Sequence, residues 1–298
     1  MKIFSNFIFT ATAVLSFFCG KAQTNNAKFI TAVTVEKTDT AFGVQGLQIS
    51  YTYNFSSLGK QAYIDSIVKN AFYKIKTRIF IKNEVVNPGY GYSRFRNIRN
   101  DFEMSSYISS SDIKNVKADK QLTVFIPYAA LKLPDLTNYT ATVKAELIST
   151  ESLKDKQLQL IEQGNISFYK PETLTATVYV DSIEVNTLDS KGQAWDYSFY
   201  GKDYPDIDVA IKLSNNILWN KHINNKFLFV LNPSEKNYSF SISKNDKITV
   251  LIEDRDLLVS DLIEKFECVT TNKIKGEWYS VTSKSSTVKQ CKIQYRIN

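Results

Sequence analysis

The feature that most constrains this chain is a two-residue alternation of apolar and polar side chains. Between residues 47 and 55 every second side chain is large and apolar, and the residues between are polar or small. Side chains of a β-strand point alternately to opposite faces, so this period is typical of strands with one buried face. The same alternation returns at residues 122–126, 139–147 and 174–180. The sequence therefore predicts an all-β protein.

Length and charge divide the chain into two parts. With 298 residues, 43 % of them hydrophobic, it is long enough for two domains with separate cores. Residues 23–170 carry 19 basic and 13 acidic side chains, whereas residues 171–298 carry 16 and 17. The change falls at Lys170-Pro171, where proline favours an extended link. We therefore predict two β-sandwich domains, 23–170 and 171–298.

Residues 1–22 have the pattern of a secretory signal peptide. Lys2 precedes a mostly apolar run that ends at Phe18, and small residues at Gly20 and Ala22 suit cleavage before Gln23. Lipid attachment at Cys19 is the alternative. The protein is predicted to be exported, as a periplasmic, outer-membrane-associated or secreted protein. Nucleic acid is not an expected partner for an exported chain of modest net charge.

Five aspartates in the second half are candidate ligands for a cation. Asp254 and Asp256 end a strand-like segment and share a face, so both carboxylates would point beyond the same sheet edge. Asp261 follows shortly after, and Asp196 and Asp206 stand upstream; Asp189 and Asp203 are alternatives to Asp196. Hard cations such as Ca2+ prefer six to eight oxygen ligands. The competing interpretation is that these aspartates serve only as turn residues.

In sequence order, these motifs resemble the C2 domain family over residues ~172–298. The resemblance runs through an alternating strand at 174–180, Asp206-Ile-Asp-Val-Ala-Ile211, Asn232-Pro233 before Phe240, the third-loop aspartates, and Trp278 before a final strand. It departs where Glu264 replaces the usual glycine. The resemblance implies a β-sandwich that binds Ca2+ through Asp196, Asp206, Asp254, Asp256 and Asp261, and that meets anionic membrane lipid through the bound ion.

The same loops carry apolar side chains that are candidates for membrane contact: Phe199, Tyr200, Leu257, Leu258 and Val259. Packing against a neighbouring loop or the first domain is the alternative. Two cysteines, Cys268 and Cys291, follow the predicted signal peptide, and an even count favours a disulfide in an exported protein. The C2-like interpretation puts them on the last two strands, as neighbours in one hairpin.

The first domain resembles no family, but one of its predicted strands is basic on a single face. Lys74, Lys76, Arg78 and Lys82 share that face, and a loop at 88–99 mixes arginine with tyrosine and phenylalanine. Such a surface suits an acidic glycan or phosphate; a solvated sheet face is the alternative.

No catalytic motif stands out, and the chain contains one histidine. We therefore predict a non-catalytic protein that binds Ca2+. The alternatives are a structural module with a cell-envelope protein partner and a glycan-binding protein.

Overall fold

The fold is almost entirely strand in the part of the chain that the structure describes. A computed structural model describes residues 29–41, 43–56, 64–66, 71–114, 119–189, 191–193, 195–198, 201–203, 205–224, 226–255 and 260–298. Helix within these ranges is confined to short pieces such as Ser110–Lys114. The prediction of an all-β protein is confirmed. No helix among the described residues is long and apolar enough to cross a membrane.

Two antiparallel sheets make up the first half. Its strands are β1 (Ile30–Ala41), β2 (Val44–Tyr53), β3 (Phe72–Ile81), β4 (Glu84–Val85), β5 (Met104–Ile108), β6 (Lys120–Pro127), β7 (Thr137–Glu151) and β8 (Lys154–Lys170). One sheet has the order β1-β2-β6, and the other has the order β4-β3-β7-β8 with β5 also paired to β3.

The alternating residues explain how these two sheets face each other. Leu47, Ile49 and Tyr51 of β2 are fully buried, as are Ile75 and Ile79 of β3. The Tyr51 hydroxyl lies 2.7 Å from the Thr77 hydroxyl, which links β2 of one sheet to β3 of the other. Burial raises the pKa of Tyr51 above its ordinary value. The buried hydroxyl of Tyr51 is therefore paired rather than left without a partner.

The second half has a further pair of antiparallel sheets and a small hairpin. Its strands are β9 (Thr173–Val185), β10 (Asp196–Ser198), β11 (Gly201–Asp203), β12 (Ile207–Leu213), β13 (Asn216–Ile223), β14 (Leu228–Val230), β15 (Asn237–Ser243), β16 (Lys247–Arg255), β17 (Ser260–Val269), β18 (Tyr279–Ser280) and β19 (Val288–Ile297). One sheet has the order β13-β12-β16-β17. In the other, β9 pairs with β14, β15 and β19, and β18 pairs with β19; β10 and β11 form the hairpin.

The predicted disulfide between Cys268 and Cys291 is wrong in this structure. Cys268 lies on β17 opposite Ile248, whereas Cys291 lies on β19 opposite Ile183 in the other sheet. The two cysteines are therefore not cross-strand neighbours, and both are free thiols. Burial raises the pKa of each thiol to about 12, which keeps the reactive thiolate scarce at neutral pH.

The two halves pack directly against each other. Backbone hydrogen bonds cross between them from Ser241 N to Tyr90 O (2.8 Å) and from Lys247 N to Gly43 O (2.8 Å). The buried side chains of both halves belong to one continuous hydrophobic cluster. Only Pro171 and Glu172 separate β8 from β9. The division at Lys170-Pro171 into two domains therefore stays a prediction.

Candidate functional site

Three neighbouring strands of the second half present aspartates at the same end of their sheet. β12 begins at Ile207, β16 ends at Arg255 and β17 begins at Ser260. Because the strands are antiparallel, these ends lie together: Ile207 is opposite Asp254, and Asp254 is opposite Asp261. We call this the loop end. Three of the five aspartates that the sequence predicted as ligands stand at these strand ends: Asp206, Asp254 and Asp261.

Asp254 is the most buried member of this group. The alternation that buries Ile248, Val250 and Ile252 on the inner face of β16 continues to Asp254, which is 1 % exposed. Its Oδ1 accepts a hydrogen bond from the backbone N–H of Asp206 at 2.8 Å. In return, the backbone N–H of Arg255 donates to the carbonyl of Asp206 at 3.0 Å. These two bonds tie the end of β16 to the residue before β12.

Asp206 and Asp261 are more accessible. Asp206 is half-buried and Asp261 is exposed, so the group runs from the sandwich interior to solvent. Among the described residues, no three His, Cys, Asp or Glu side chains are close enough together to form a metal site. The donors described at the loop end are carboxylate oxygens, which suit a hard cation, but they do not make up a full coordination shell.

The remaining predicted site residues are not tested by the structure. Asp196 lies on β10 opposite Asp203 of β11, in the hairpin that leads towards β12, and its side chain lies outside the described residues. Asp256 also lies outside them. The predicted membrane-contact residues also lie outside the described residues: Phe199, Tyr200, Leu257, Leu258 and Val259. Their roles stay predictions.

On the outer face of the same sheet, one row of polar residues was not singled out from the sequence. Asp208 lies opposite His222 on one side and opposite Glu253 on the other. The Asp208 carboxylate lies 3.7 Å from the Arg255 guanidinium. This positive charge partly offsets the acidic character of the loop end. Cross-strand neighbours of this kind could have been found only with the strand pairing in hand.

The basic strand of the first half is largely neutralised. Lys76 is 3.1 Å from Asp155 and 3.6 Å from Glu103, and Arg78 is 2.9 Å from Glu103. Asp155 lies on β8 of the same sheet, and Glu103 immediately precedes β5. A hydrogen bond from Thr150, with help from Lys76 and Lys74, lowers the pKa of Asp155 to about 2. The outer face of β3 is therefore a network of ion pairs rather than a free cationic patch.

A buried carboxyl at the opposite end of β16 was also missed. Asp246, in the turn before β16, is fully buried. Its Oδ1 accepts a hydrogen bond from the backbone N–H of Gln45 at 3.0 Å, and its Oδ2 accepts one from Ser243 at 2.8 Å. Burial raises the pKa of Asp246 to about 7. From the sequence alone, Asp246 is indistinguishable from an ordinary polar turn residue. Its burial comes from contact with the first half, which the local sequence does not show.

Comparisons with known proteins give only a loose likeness. No protein-family model matches the chain, and no curated protein matches it. Among solved structures, the calcium-bound pair of C2 domains of extended synaptotagmin 2 is 11 % identical, with 91 % of this chain and 94 % of that chain covered and a TM-score of 0.31. A structure of the SMP domain together with both C2 domains of the same protein is 10 % identical, with 89 % and 81 % covered and a TM-score of 0.31. At these values the likeness carries no functional argument.

Proposed function

We propose that the protein is an exported binding protein whose second β-sandwich takes up Ca2+ at its loop end and meets anionic lipid through the bound ion. The observation that carries this proposal is the position of Asp254. This carboxylate is 1 % exposed at the end of β16, where the strand register sets Asp254 opposite Ile207 on one side and Asp261 on the other.

The electrostatics of the loop end favour a cation. Burying a carboxylate is costly unless hydrogen bonds or positive charge compensate it, and Asp254 has its Oδ1 on the Asp206 N–H. Like charges at Asp206 and Asp261 add repulsion. A divalent ion would remove that repulsion and supply local positive charge. In this proposal the ion draws Asp206, Asp254 and Asp261, which are not close enough together without it, into one site, and Asp196 and Asp256 are the additional ligands.

The lipid part of the proposal follows from the same charges. Aspartates alone repel a phosphate headgroup, whereas a bound cation with open coordination positions attracts it. The apolar residues Leu257, Leu258 and Val259 stand between Asp256 and Asp261 in the sequence and are proposed to insert shallowly beside the headgroups. Lipid binding should therefore require both Ca2+ and anionic lipid.

Calcium titration of the full chain without residues 1–22 tests the metal site. Saturating Ca2+ should raise the melting temperature, since a ligand that binds only the folded state stabilises it. D254N and D261N should each reduce that rise. D119N is the matched control, because Asp119 is exposed in the first half and an amide oxygen can still accept from Asn54. An unchanged melting temperature up to about 10 mM Ca2+, above the range of weak extracellular sites, would refute the metal site.

Vesicle sedimentation tests the membrane step. Vesicles rich in phosphatidylserine should retain the protein in Ca2+ and release it in chelator, while neutral vesicles should retain none. A variant with L257S and L258S should bind these vesicles more weakly at unchanged Ca2+ affinity. Retention that persists in chelator would contradict the calcium bridge.

The packing between the halves favours a second candidate, a structural module in a cell-envelope assembly. Hydrogen bonds from Tyr92 to Ser241 and from Asn216 to Phe125 join the halves, in addition to the backbone contacts. A rigid body of this kind suits a spacer that holds a protein partner at a fixed position. Retention of the chain by isolated envelope complexes in chelator, with no calcium-dependent stabilisation, would favour this candidate.

A further inference from the structure

Three adjoining clefts cross the surface of the first half. The first, about 590 Å³, lies between β3 and the loop at residues 96–101. The second, about 570 Å³, lies against the second half and shares Arg96 with the first. The third, about 660 Å³, shares residues 132–134 with the second and reaches the turn between β3 and β4. Each cleft shares lining residues with the next, so the three adjoin on the surface, and we call them together the groove.

The groove is lined by cations that have no carboxylate partner. Among the described residues, Lys82, Arg96, Arg99 and Lys132 line it and form no salt bridge. All four are exposed. The acids Glu84 and Asp101 also line the groove and also form no salt bridge. The groove is also lined by charges that are already paired: Lys76 and Arg78 with Glu103, and Lys170 with Asp135. The four unpaired positive and two unpaired negative charges leave the groove moderately positive.

The loop at residues 96–101, which carries Arg96 and Arg99, is ordered by internal hydrogen bonds without any ligand. The Asn97 Oδ1 accepts the backbone N–H groups of Arg99 (2.8 Å) and Asp101 (3.0 Å), and its Nδ2 donates to the Asp101 carboxylate (3.1 Å). The loop is closed further by a bond from Asn97 N to Asp101 O at 3.0 Å. A loop ordered in advance loses less conformational entropy on binding, which favours affinity.

An aromatic ring stands beside these cations. Tyr90 lines the second cleft together with Arg96, and its side chain is 63 % exposed. Its backbone is fixed, because the carbonyl of Tyr90 accepts the Ser241 N–H of the second half. An exposed ring of this kind on a rigid support offers a flat apolar surface next to positive charge.

We propose that this groove binds a linear acidic polysaccharide. Carboxylate or sulfate groups along the sugar chain would pair with Arg96, Arg99 and Lys132, and one sugar ring would stack on Tyr90. Several clefts in a row suit an extended polymer, whereas a membrane surface would meet only the rim of a concave channel. The site is separate from the loop end and needs no calcium.

Calorimetry with oligogalacturonate of ten sugars, in EDTA and low salt, tests this proposal. The protein should bind the decamer at least tenfold more tightly than the trimer, because the longer chain reaches more than one cleft. Higher salt should weaken binding, since exposed charges are screened. The double variant R96A/R99A should weaken decamer binding at least tenfold, and Y90A should weaken it several-fold.

The matched control is the double variant K154A/K156A. Lys154 and Lys156 are exposed on β8 in the same half and line none of the three clefts, so this variant removes the same charge elsewhere. It should leave decamer binding within twofold of the original chain. Equal losses in both double variants would mean non-specific charge attraction and would overturn the groove. The proposal would also be overturned by the absence of measurable decamer binding. Tighter binding in EDTA to phosphatidylserine vesicles than to the decamer would overturn it as well.

Discussion

The two ends of strand β16 bury the same kind of side chain in opposite settings. Asp246 at one end is enclosed by a turn and by the first half, and backbone N–H groups from Gln45 and Ser243 satisfy its two oxygens. Asp254 at the other end is equally buried but lies among strand ends that carry more aspartates. We call the Asp246 side the junction end. Burial alone therefore does not assign a role to a carboxylate; its neighbours do.

The largest expected effect is at the junction end, where Gly91 of the first half lies against Phe240 of the second half. Gly91 has φ +84°, and a Cβ there would lie 2.2 Å from the Cβ of Phe240. We expect G91A to lower the free energy of unfolding by about 3 kcal/mol or more, through backbone strain and overpacking together.

G276A is the matched control for G91A. Gly276 has φ +86° but open space around its Cβ position, so this variant should lose only about 1 to 2 kcal/mol. Urea denaturation of both variants measures the difference. Equal losses would mean that the contact with Phe240 does not hold the halves together.

The next largest effect on the free energy of unfolding is expected from the buried carboxyl group of Asp246. D246A leaves the N–H groups of Gln45 and Ser243 without their acceptor, so we expect a loss of about 2 to 3 kcal/mol in the free energy of unfolding. D119A, at an exposed aspartate, should lose about 0.5 kcal/mol or less. Denaturation curves decide, and a loss from D246A no larger than that from D119A would refute the role of Asp246.

The pH dependence of stability should separate the two ends further. Folding raises the pKa of Asp246 from 3.8 to about 7, so its protonated form favours the folded state. This contribution is complete below about pH 4 and is lost as pH rises through 7. The free energy of unfolding should therefore fall by about 2 to 3 kcal/mol more between pH 5 and pH 8 in the original chain than in D246N. Parallel pH profiles would contradict this assignment.

The smallest effect is expected at the loop end. Without calcium, D254N should change the free energy of unfolding by about 1 kcal/mol or less, because lost hydrogen bonding is offset by relieved repulsion. With Ca2+ at ten times its dissociation constant, the original chain should gain about 1.4 kcal/mol that D254N lacks. Thermal unfolding with Ca2+ and with chelator measures both values. A large loss in chelator would make Asp254 a structural residue like Asp246.

The sequence predicted the strands better than their partners. Alternation located β2, β7 and β9, because the period of two depends only on which face is buried. It could not show that the chain crosses from one sheet to the other between β17 and β19, and the predicted Cys268–Cys291 pair was wrong for that reason. Face assignment is a local property, whereas strand pairing depends on the whole fold.

The candidate sites show the same difference between local features, which the sequence predicts, and long-range contacts, which it does not. The position of Asp206, Asp254 and Asp261 near strand ends could be predicted from the sequence, whereas their role as ligands stays a prediction. The role of Asp246 could not, since its burial depends on Gln45, 201 residues away. The basic face of β3 looked free in the sequence, but Glu103, Glu146 and Asp155 reach it from neighbouring elements. Charges that matter for binding are those left after such pairing.

The pairing of β9 with β19 has a consequence for synthesis. During synthesis the sheets of the two halves can be completed at different times. All strands of the first half are available once Lys170 has been made. β9 lies in the middle of its sheet, yet its neighbour β19 begins more than 100 residues after β9 does. Until residues 288–297 emerge, one edge of β9 lacks its partner and is open to wrong pairing. The second half is therefore the part of the nascent chain that would most need a chaperone.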